Sequence, residues 1–396
     1  MALSRIAREV KTSATLAITA KAKQLAAKGV DVVGFGAGEP DFDTPENVKD
    51  AAIKAIRDGY NKYTPTAGAP ALKEAICEKF LKENNLKYNP SQVIVSAGAK
   101  QSILNMVLVL CDTGDEAIIP SPYWVSYPEM VVMAGAKPVF LQTSDKEQFK
   151  ITPESLARAI TPKSKLLFMN SPNNPTGMVY TEKELREIVC LAVEKGLYVI
   201  SDEIYEKIVF DGIRHVSPAS FNDACYQKVI TVNGFSKVYS MTGWRLGYAA
   251  GPEEIVKAAT NVQDHTTSGA NSITQLAGVE ALKGNQDSVK NMVFEFDRRR
   301  KYIVGRLNKI PGVSCLLPQG AFYAFPRVTG LYTKKIGGQP VTNSFDLVNL
   351  LLEKAHVAFV PGAPFGSDEY VRISYATSME NIVKGMDRFE KFLGGT

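Results

Sequence analysis

From about residue 92 to residue 232 the chain alternates short apolar runs with helix-forming stretches, and this alternation restricts the fold more than any other feature. The runs are QVIVS, EAIIP, KPVFL, KLLFM, LYVIS and KVITV. Most are separated by helical patterns: one from Gln101, then YWVSYPEMVVM, PESLARAI and EKELREIVCLAVEKG. Such runs, without polar alternation, predict strands covered on both faces, and intervening helices predict a mostly parallel sheet with right-handed crossovers. Ligands of such sheets collect beyond the carboxyl ends of the strands. The unusual residues fall there: Gly98 to Gln101, Ser121 to Trp124, Asn170 to Gly177, Asp202 to Tyr205, and Ser236 with Lys237.

Outside that region the patterning changes. Residues 13 to 28 predict a helix closed by Gly29, followed by a strand, DVVGFG, and a Gly/Pro turn, GAGEPDFDTP, with backbone N–H groups free to meet an anion. Helices are expected over 46 to 58 and 69 to 85, with an exposed Tyr63 in the loop between them. After residue 252 come long helices, one over about 286 to 308, and shorter strands at VSCLL, AFYAF, VAFV and YVRISYA. A chain of 396 residues exceeds what one core supports. We therefore expect a large α/β domain over 46–285 and a smaller α/β domain over 286–396, joined by an N-terminal arm and strand from 1–45.

Several function classes find little support. The 46 basic and 41 acidic residues are scattered, and a net charge of +5 makes no nucleic-acid footprint. The run Arg298 to Lys301 reads as a solvated helix face. Five dispersed cysteines suit a reduced, cytoplasmic protein, and three isolated histidines share no metal-ligand spacing, so no metal is expected. No apolar run reaches the roughly 18 residues of a membrane span. Gly34, Gly36 and Gly38 are followed by Glu-Pro rather than by a glycine opening a helix, which weakens a nicotinamide reading.

The chemistry concentrates around Lys237, which follows the apolar strand KVITV. A lysine held against packed structure loses hydration and moves toward the neutral amine that can form a Schiff base with a carbonyl. A solvated loop lysine is the alternative. Ser236 beside it and Arg245 eight residues on suit a phosphate. SAGAKQS, a strand end, glycine turn and helix start, offers backbone amides and a helix dipole to an anion. Asp202, at the end of LYVIS, needs a cationic partner if buried, although a turn or cap role would also place an Asp there. Tyr205, Asn174 in SPNNPTG, and Trp124 offer a phenol, an amide and a flat aromatic face. Arg372, inside the apolar strand YVRISYA, calls for a bidentate carboxylate from the protein or from a substrate.

GEPDFDTP, KYTPTAG, SPYWVSYPEM, NSPNNPTG, SDEIYE, SKVYSMTGWRLGY and VRISYAT occur in an order and spacing that resemble the fold type I family of pyridoxal-phosphate enzymes. Within it the chain is similar to the class I aminotransferases, and to their bacterial and plant aspartate or aspartate/prephenate branch. The resemblance covers nearly the whole chain. It implies pyridoxal 5′-phosphate anchored on Lys237, which also moves the substrate proton, with Asp202 on the pyridine nitrogen. Tyr205 and Asn174 would hold the ring oxygen and Trp124 would stack on the ring. The phosphate would meet Ala99, Lys100, Ser236, Arg245, and Tyr63 from a second subunit, so a homodimer is implied. Arg372, Asn174 and the Gly38 backbone would hold the α-carboxylate, and Lys100 with Ser13 and Thr15 the second carboxylate. The implied reaction is ping-pong transfer from L-aspartate to 2-oxoglutarate through pyridoxamine phosphate. Arogenate formation from prephenate is the nearest alternative, another amino-acid aminotransferase or a C–S lyase a further one, and a nicotinamide oxidoreductase a remote one. The chain departs from a related branch at Gly234, where that branch has a serine.

Overall fold

A computed structural model describes residues 3–12, 14–332, 335–336 and 338–394. Its centre is a seven-stranded sheet of β1 (Val93–Ser96), β2 (Glu116–Ser121), β3 (Lys137–Gln142), β4 (Ser164–Asn170), β5 (Tyr198–Asp202), β6 (Val229–Gly234) and β7 (Gly247–Ala250). The spatial order is β1-β7-β6-β5-β4-β2-β3. Neighbours pair in parallel except at β7, which runs antiparallel to both β6 and β1.

Both faces of this sheet are buried, as the unbroken apolar runs require, except along the edge strand β3, where no residue is fully buried. Val93, Val95, Leu167, Met169 and Val199 pack one way, against helices Pro70–Asn84 and Glu182–Glu194. Ile94, Leu166, Phe168, Ile200 and Ile230 pack the other way, against Ala99–Leu110, Ser126–Met133 and Glu253–Asp264. The period of two sends alternate residues to opposite cores, and each such side chain contributes about 1.5–3 kcal/mol on burial.

A separate core holds Ile18, Val33 and Phe35 from the N-terminal residues together with helix Asp287–Leu307 and helix Met379–Gly394. Its strands are short. Val33–Gly34 pairs in parallel with Val357–Ala358, and Val371–Ser374 lies between Val360–Pro361 and Tyr323–Ala324.

Four local expectations need correction. The run Arg298 to Lys301 is not one solvated face: Arg299 and Arg300 are buried, Arg299 paired with Asp41 and Glu295 and Arg300 with Asp211 and Asp297. VSCLL is no strand: Asn308 turns its side chain onto the backbone of Cys315 at 2.7 and 3.0 Å, which takes the groups a ladder would use, and only Ser314 bridges, to Arg327. DVVGFG pairs over two residues only. The helix expected over YWVSYPEMVVM begins at Ser126, and Trp124 stands in the entry turn, where its carbonyl accepts from the amide of Tyr127 at 3.0 Å. No described helix is long and apolar enough to cross a membrane.

Candidate active site

The strand register sets the floor of the site. Asn170 and Asp202 are partners at the ends of β4 and β5, and β6 ends beside them at Gly234, three residues before Lys237. A cavity of about 280 Å³ opens over these ends. Gly38, Ala99, Lys100, Trp124, Asn174, Asp202, Tyr205, Ser236, Lys237, Arg245 and Arg372 all line it, and so does Thr15. Tyr63 does not: it is 99% exposed on the outside of the chain. Ser13 lies outside the described residues.

Lys237 is half-buried, and its Nζ donates to the carbonyl of Gly38. Desolvation, with Arg372 nearby, pushes its amine down to about 8. The neutral form is therefore accessible near neutrality, as a nucleophile or base requires. Asp202 is 5% exposed. Its Oδ2 accepts from Tyr127 at 2.6 Å and its Oδ1 from the amide of Ile204 at 3.3 Å. Burial pushes the carboxyl up to about 6, against the pull of those donors, and no cation pairs with it among the described residues.

Arg372 is 2% exposed and also lacks a carboxylate partner among the described residues. Nη1 donates to Asn174 Oδ1 at 3.1 Å, Nη2 to Gly36 O at 2.8 Å, and Nε has no partner. The guanidinium lies 4.6 Å from the ring centre of Tyr323 and 5.0 Å from that of Phe365. An Arg so placed has donors to spare and a desolvation cost to offset, which an entering carboxylate would do. The GAGEP loop thus meets Arg372 and Lys237 with the carbonyls of Gly36 and Gly38, where amide donors to an anion were expected. Gly38 is glycine because of close approach: a Cβ there would lie 2.9 Å from Tyr323 Oη.

The opposite end of the cavity is built for an anion. Ala99 and Lys100 open helix Ala99–Leu110, where amides have no intrahelical acceptor. Gly98 has φ of +87°, and a Cβ on it would lie 2.6 Å from Arg245 Nη2, so only glycine lets that guanidinium close over the turn. Arg245 is held by Thr242 O at 2.9 Å and Ala97 O at 3.3 Å. Gly234, the departure noted above, pairs with Gly247, and a Cβ would come within 3.0 Å of Gly247 Cα. The close pairing of β6 and β7 leaves little room for a serine.

Sequence reasoning missed Tyr127 and Tyr323, and placed Asn170 at the strand ends without giving it a role. Tyr127 follows Trp124 by three residues, a spacing that places both on one side of a helical turn. Asn170 donates to Asp202 O at 2.9 Å and accepts from the amide of Asn174 at 2.8 Å, so it ties two of the named residues together. Tyr323 shares a 2.9 Å hydroxyl contact with Tyr205.

These residues fit pyridoxal 5′-phosphate. The buried, unpaired carboxylate of Asp202 suits a protonated ring nitrogen, the glycine-lined helix start suits its phosphate, and the depressed amine of Lys237 suits its aldehyde.

Comparison with known proteins gives the same assignment. Residues 30–389 match the family described as aminotransferase class I and II. The chain is 48% identical over 395 residues to an aspartate aminotransferase of Geobacillus stearothermophilus, covering 99% of each chain. It is 48% identical over 386 residues to a probable aspartate/prephenate aminotransferase of Aquifex aeolicus, covering 97% of this chain and 96% of that one. The solved aspartate aminotransferase of Rhizobium meliloti superposes with a TM-score of 0.96 at 42% identity, covering 100% of this chain and 99% of the other. The chain therefore belongs to the class I and II aminotransferases, the family that works with pyridoxal 5′-phosphate.

Proposed function

We propose that this aminotransferase moves the amino group of L-aspartate to 2-oxoglutarate, giving oxaloacetate and L-glutamate in two half-reactions. The observation that carries the reading is Arg372, a buried guanidinium without a carboxylate partner among the described residues, in one cavity with a lysine pushed down to about 8. Pyridoxal 5′-phosphate supplies an aldehyde that takes over the amino group and a ring that takes up the electron pair left on the substrate α-carbon.

The chain's own residues do the rest. Asp202 keeps the ring nitrogen protonated. Tyr205 and Asn174 would donate to the ring oxygen, and Trp124 would offer its face to the ring. The amides of Ala99 and Lys100, the Ser236 hydroxyl and Arg245 hold the phosphate. Arg372 binds the α-carboxylate, with Asn174 and the Gly38 backbone beside it. Lys237 anchors the cofactor and then, through Nζ, takes the proton from the α-carbon and redelivers it. Lys100, exposed at the cavity with Nζ 5.1 Å from the ring centre of Trp124, takes the second carboxylate, helped by Thr15 and Ser13.

The working unit is a cytoplasmic homodimer. Supporting this, Ile53, Ile56, Tyr60 and Tyr63 expose an apolar strip on helix Glu46–Arg57 and the loop after it. A second copy covers it, and Tyr63 reaches the partner's phosphate. We take the large domain as 46–285 and the small one as 286–396 with the first 45 residues; in support, most of the second core comes from the latter two segments, while Ile204, Tyr205, Ile208 and Phe210 of the former also enter it.

Prephenate also carries two carboxylates, and the name of the Aquifex relative favours it as a second acceptor. Steady-state assays with aspartate and each oxo acid test both readings. Turnover with 2-oxoglutarate is expected; arogenate formed at a comparable kcat/KM would make the enzyme bifunctional. No turnover of aspartate with either acceptor would contradict both.

A further inference from the structure

Tyr323 lines the cavity but has no role in the scheme above. It comes from the short strand Tyr323–Ala324 of the second core, whereas Tyr205 follows β5 of the large sheet. Both are buried, at 1% and 3% exposure, and their hydroxyl oxygens lie 2.9 Å apart. Two hydroxyls at that distance share one hydrogen, and the other hydroxyl hydrogen must find a different acceptor. Which ring donates therefore decides where the free hydrogen points.

Arg372 breaks the symmetry. Its guanidinium lies 4.6 Å from the centre of the Tyr323 ring, which is also bounded at its hydroxyl end by Gly38. A cation against one phenol makes that phenol the more acidic of the pair and so the better donor. We propose that Tyr323 is a positioning residue for Tyr205: it donates to the Tyr205 oxygen and so turns the Tyr205 hydrogen into the cavity. This rests on the function proposed above, in which Tyr205 donates to the ring oxygen of the cofactor. A hydroxyl that accepts one hydrogen bond is also a stronger donor in its own, so Tyr323 strengthens the Tyr205 contact as well as aiming it.

The test is Tyr323→Phe in cofactor-loaded enzyme, which keeps the ring over Arg372 and removes only the hydroxyl. The readout is the pH midpoint of the bound cofactor's visible absorption, recorded without substrate. A net hydrogen bond of ordinary strength corresponds to an upward shift of about half a unit to one unit. In a Tyr205→Phe background the same substitution should shift the midpoint no further. The KM for aspartate should change less than about twofold while kcat falls by roughly three- to tenfold, since no substrate contact is lost. An unmoved midpoint, equal shifts in both backgrounds, or a raised KM with an unmoved midpoint would overturn the proposal. A wild-type protein that shows no cofactor absorption at all would instead overturn the reading of the site.

Discussion

The hydroxyl of Tyr127 donates to Asp202 Oδ2 at 2.6 Å, joining the helix after β2 to the end of β5. Tyr127 also stacks on Phe168 at 4.8 Å and meets Trp124 edge-on at 5.3 Å, so it cannot swing away from the carboxylate without disturbing the cavity wall. Tyr127 thus keeps Asp202 ionised in a place where burial favours the neutral acid.

Removing that donor, in Tyr127→Phe, should weaken cofactor retention with little change of fold. A hydrogen bond to a charged group is worth about 1.5–3 kcal/mol, or roughly ten- to a hundredfold in dissociation constant. Equilibrium dialysis of pyridoxal 5′-phosphate measures it. An unchanged constant would mean that Asp202 needs no help in staying charged.

Arg372→Ala should raise the KM for every amino acid, because a desolvated charge pair is lost at a cost of about 2–5 kcal/mol. Lys100→Ala should behave differently. If Lys100 holds only the second carboxylate, kcat/KM falls for aspartate and stays level for alanine, and steady-state kinetics on both donors separates the two roles. Equal losses on both donors would remove Lys100 from specificity.

Beneath the site, Glu206 is buried and paired with Lys79, and Asn84 donates to it at 2.8 Å. Glu203 lies alongside, bound by His215 at 2.8 Å and by Ser201 at 2.9 Å. Burial alone would raise the Glu206 carboxyl, but Lys79, with His215 behind it, holds it down at about 2. A depressed carboxyl contributes stability that is present above its unfolded value near 4.5 and lost as pH falls toward 2. His215 is raised by Glu203 despite its burial, so its contribution is full below about 6.5 and fades as pH rises through its higher folded value. Glu206→Gln should cost up to about 3–5 kcal/mol at pH 7, since buried Lys79 loses its close partner and keeps only Glu83 at 3.8 Å, and should flatten the acid limb. Urea unfolding of the cofactor-free protein from pH 3 to 8 checks both; an equal acid limb in the two proteins would contradict the assignment to Glu206.

How much was legible in sequence follows from what each residue contradicts. Lys237, Asp202 and Arg372 stand out because a charge in or beside an apolar strand demands a reason. The parallel sheet was readable because two buried faces leave no polar alternation. Tyr127 and Tyr323 were hidden because an aromatic residue within an apolar run already satisfies the packing pattern, and only the folded structure shows where the hydroxyl goes. The same holds for VSCLL, whose composition suits a strand but whose backbone is taken by the Asn308 side chain, and for β7, whose antiparallel direction no local pattern encodes. Tyr63 is the reverse case: visible as a loop residue, it lies away from this chain's own cavity.

The most direct test is a single half-reaction in wild type and Lys237→Ala, followed by absorption with L-aspartate and no oxo acid. Wild type should lose the visible band of the bound aldehyde as the amino form of the cofactor and one equivalent of oxaloacetate appear. Lys237→Ala should hold the cofactor yet convert it at least about 10²- to 10⁴-fold more slowly, the contribution general-base catalysis ordinarily makes. A wild-type spectrum indifferent to aspartate, or a variant that converts the cofactor at the wild-type rate, would contradict the account.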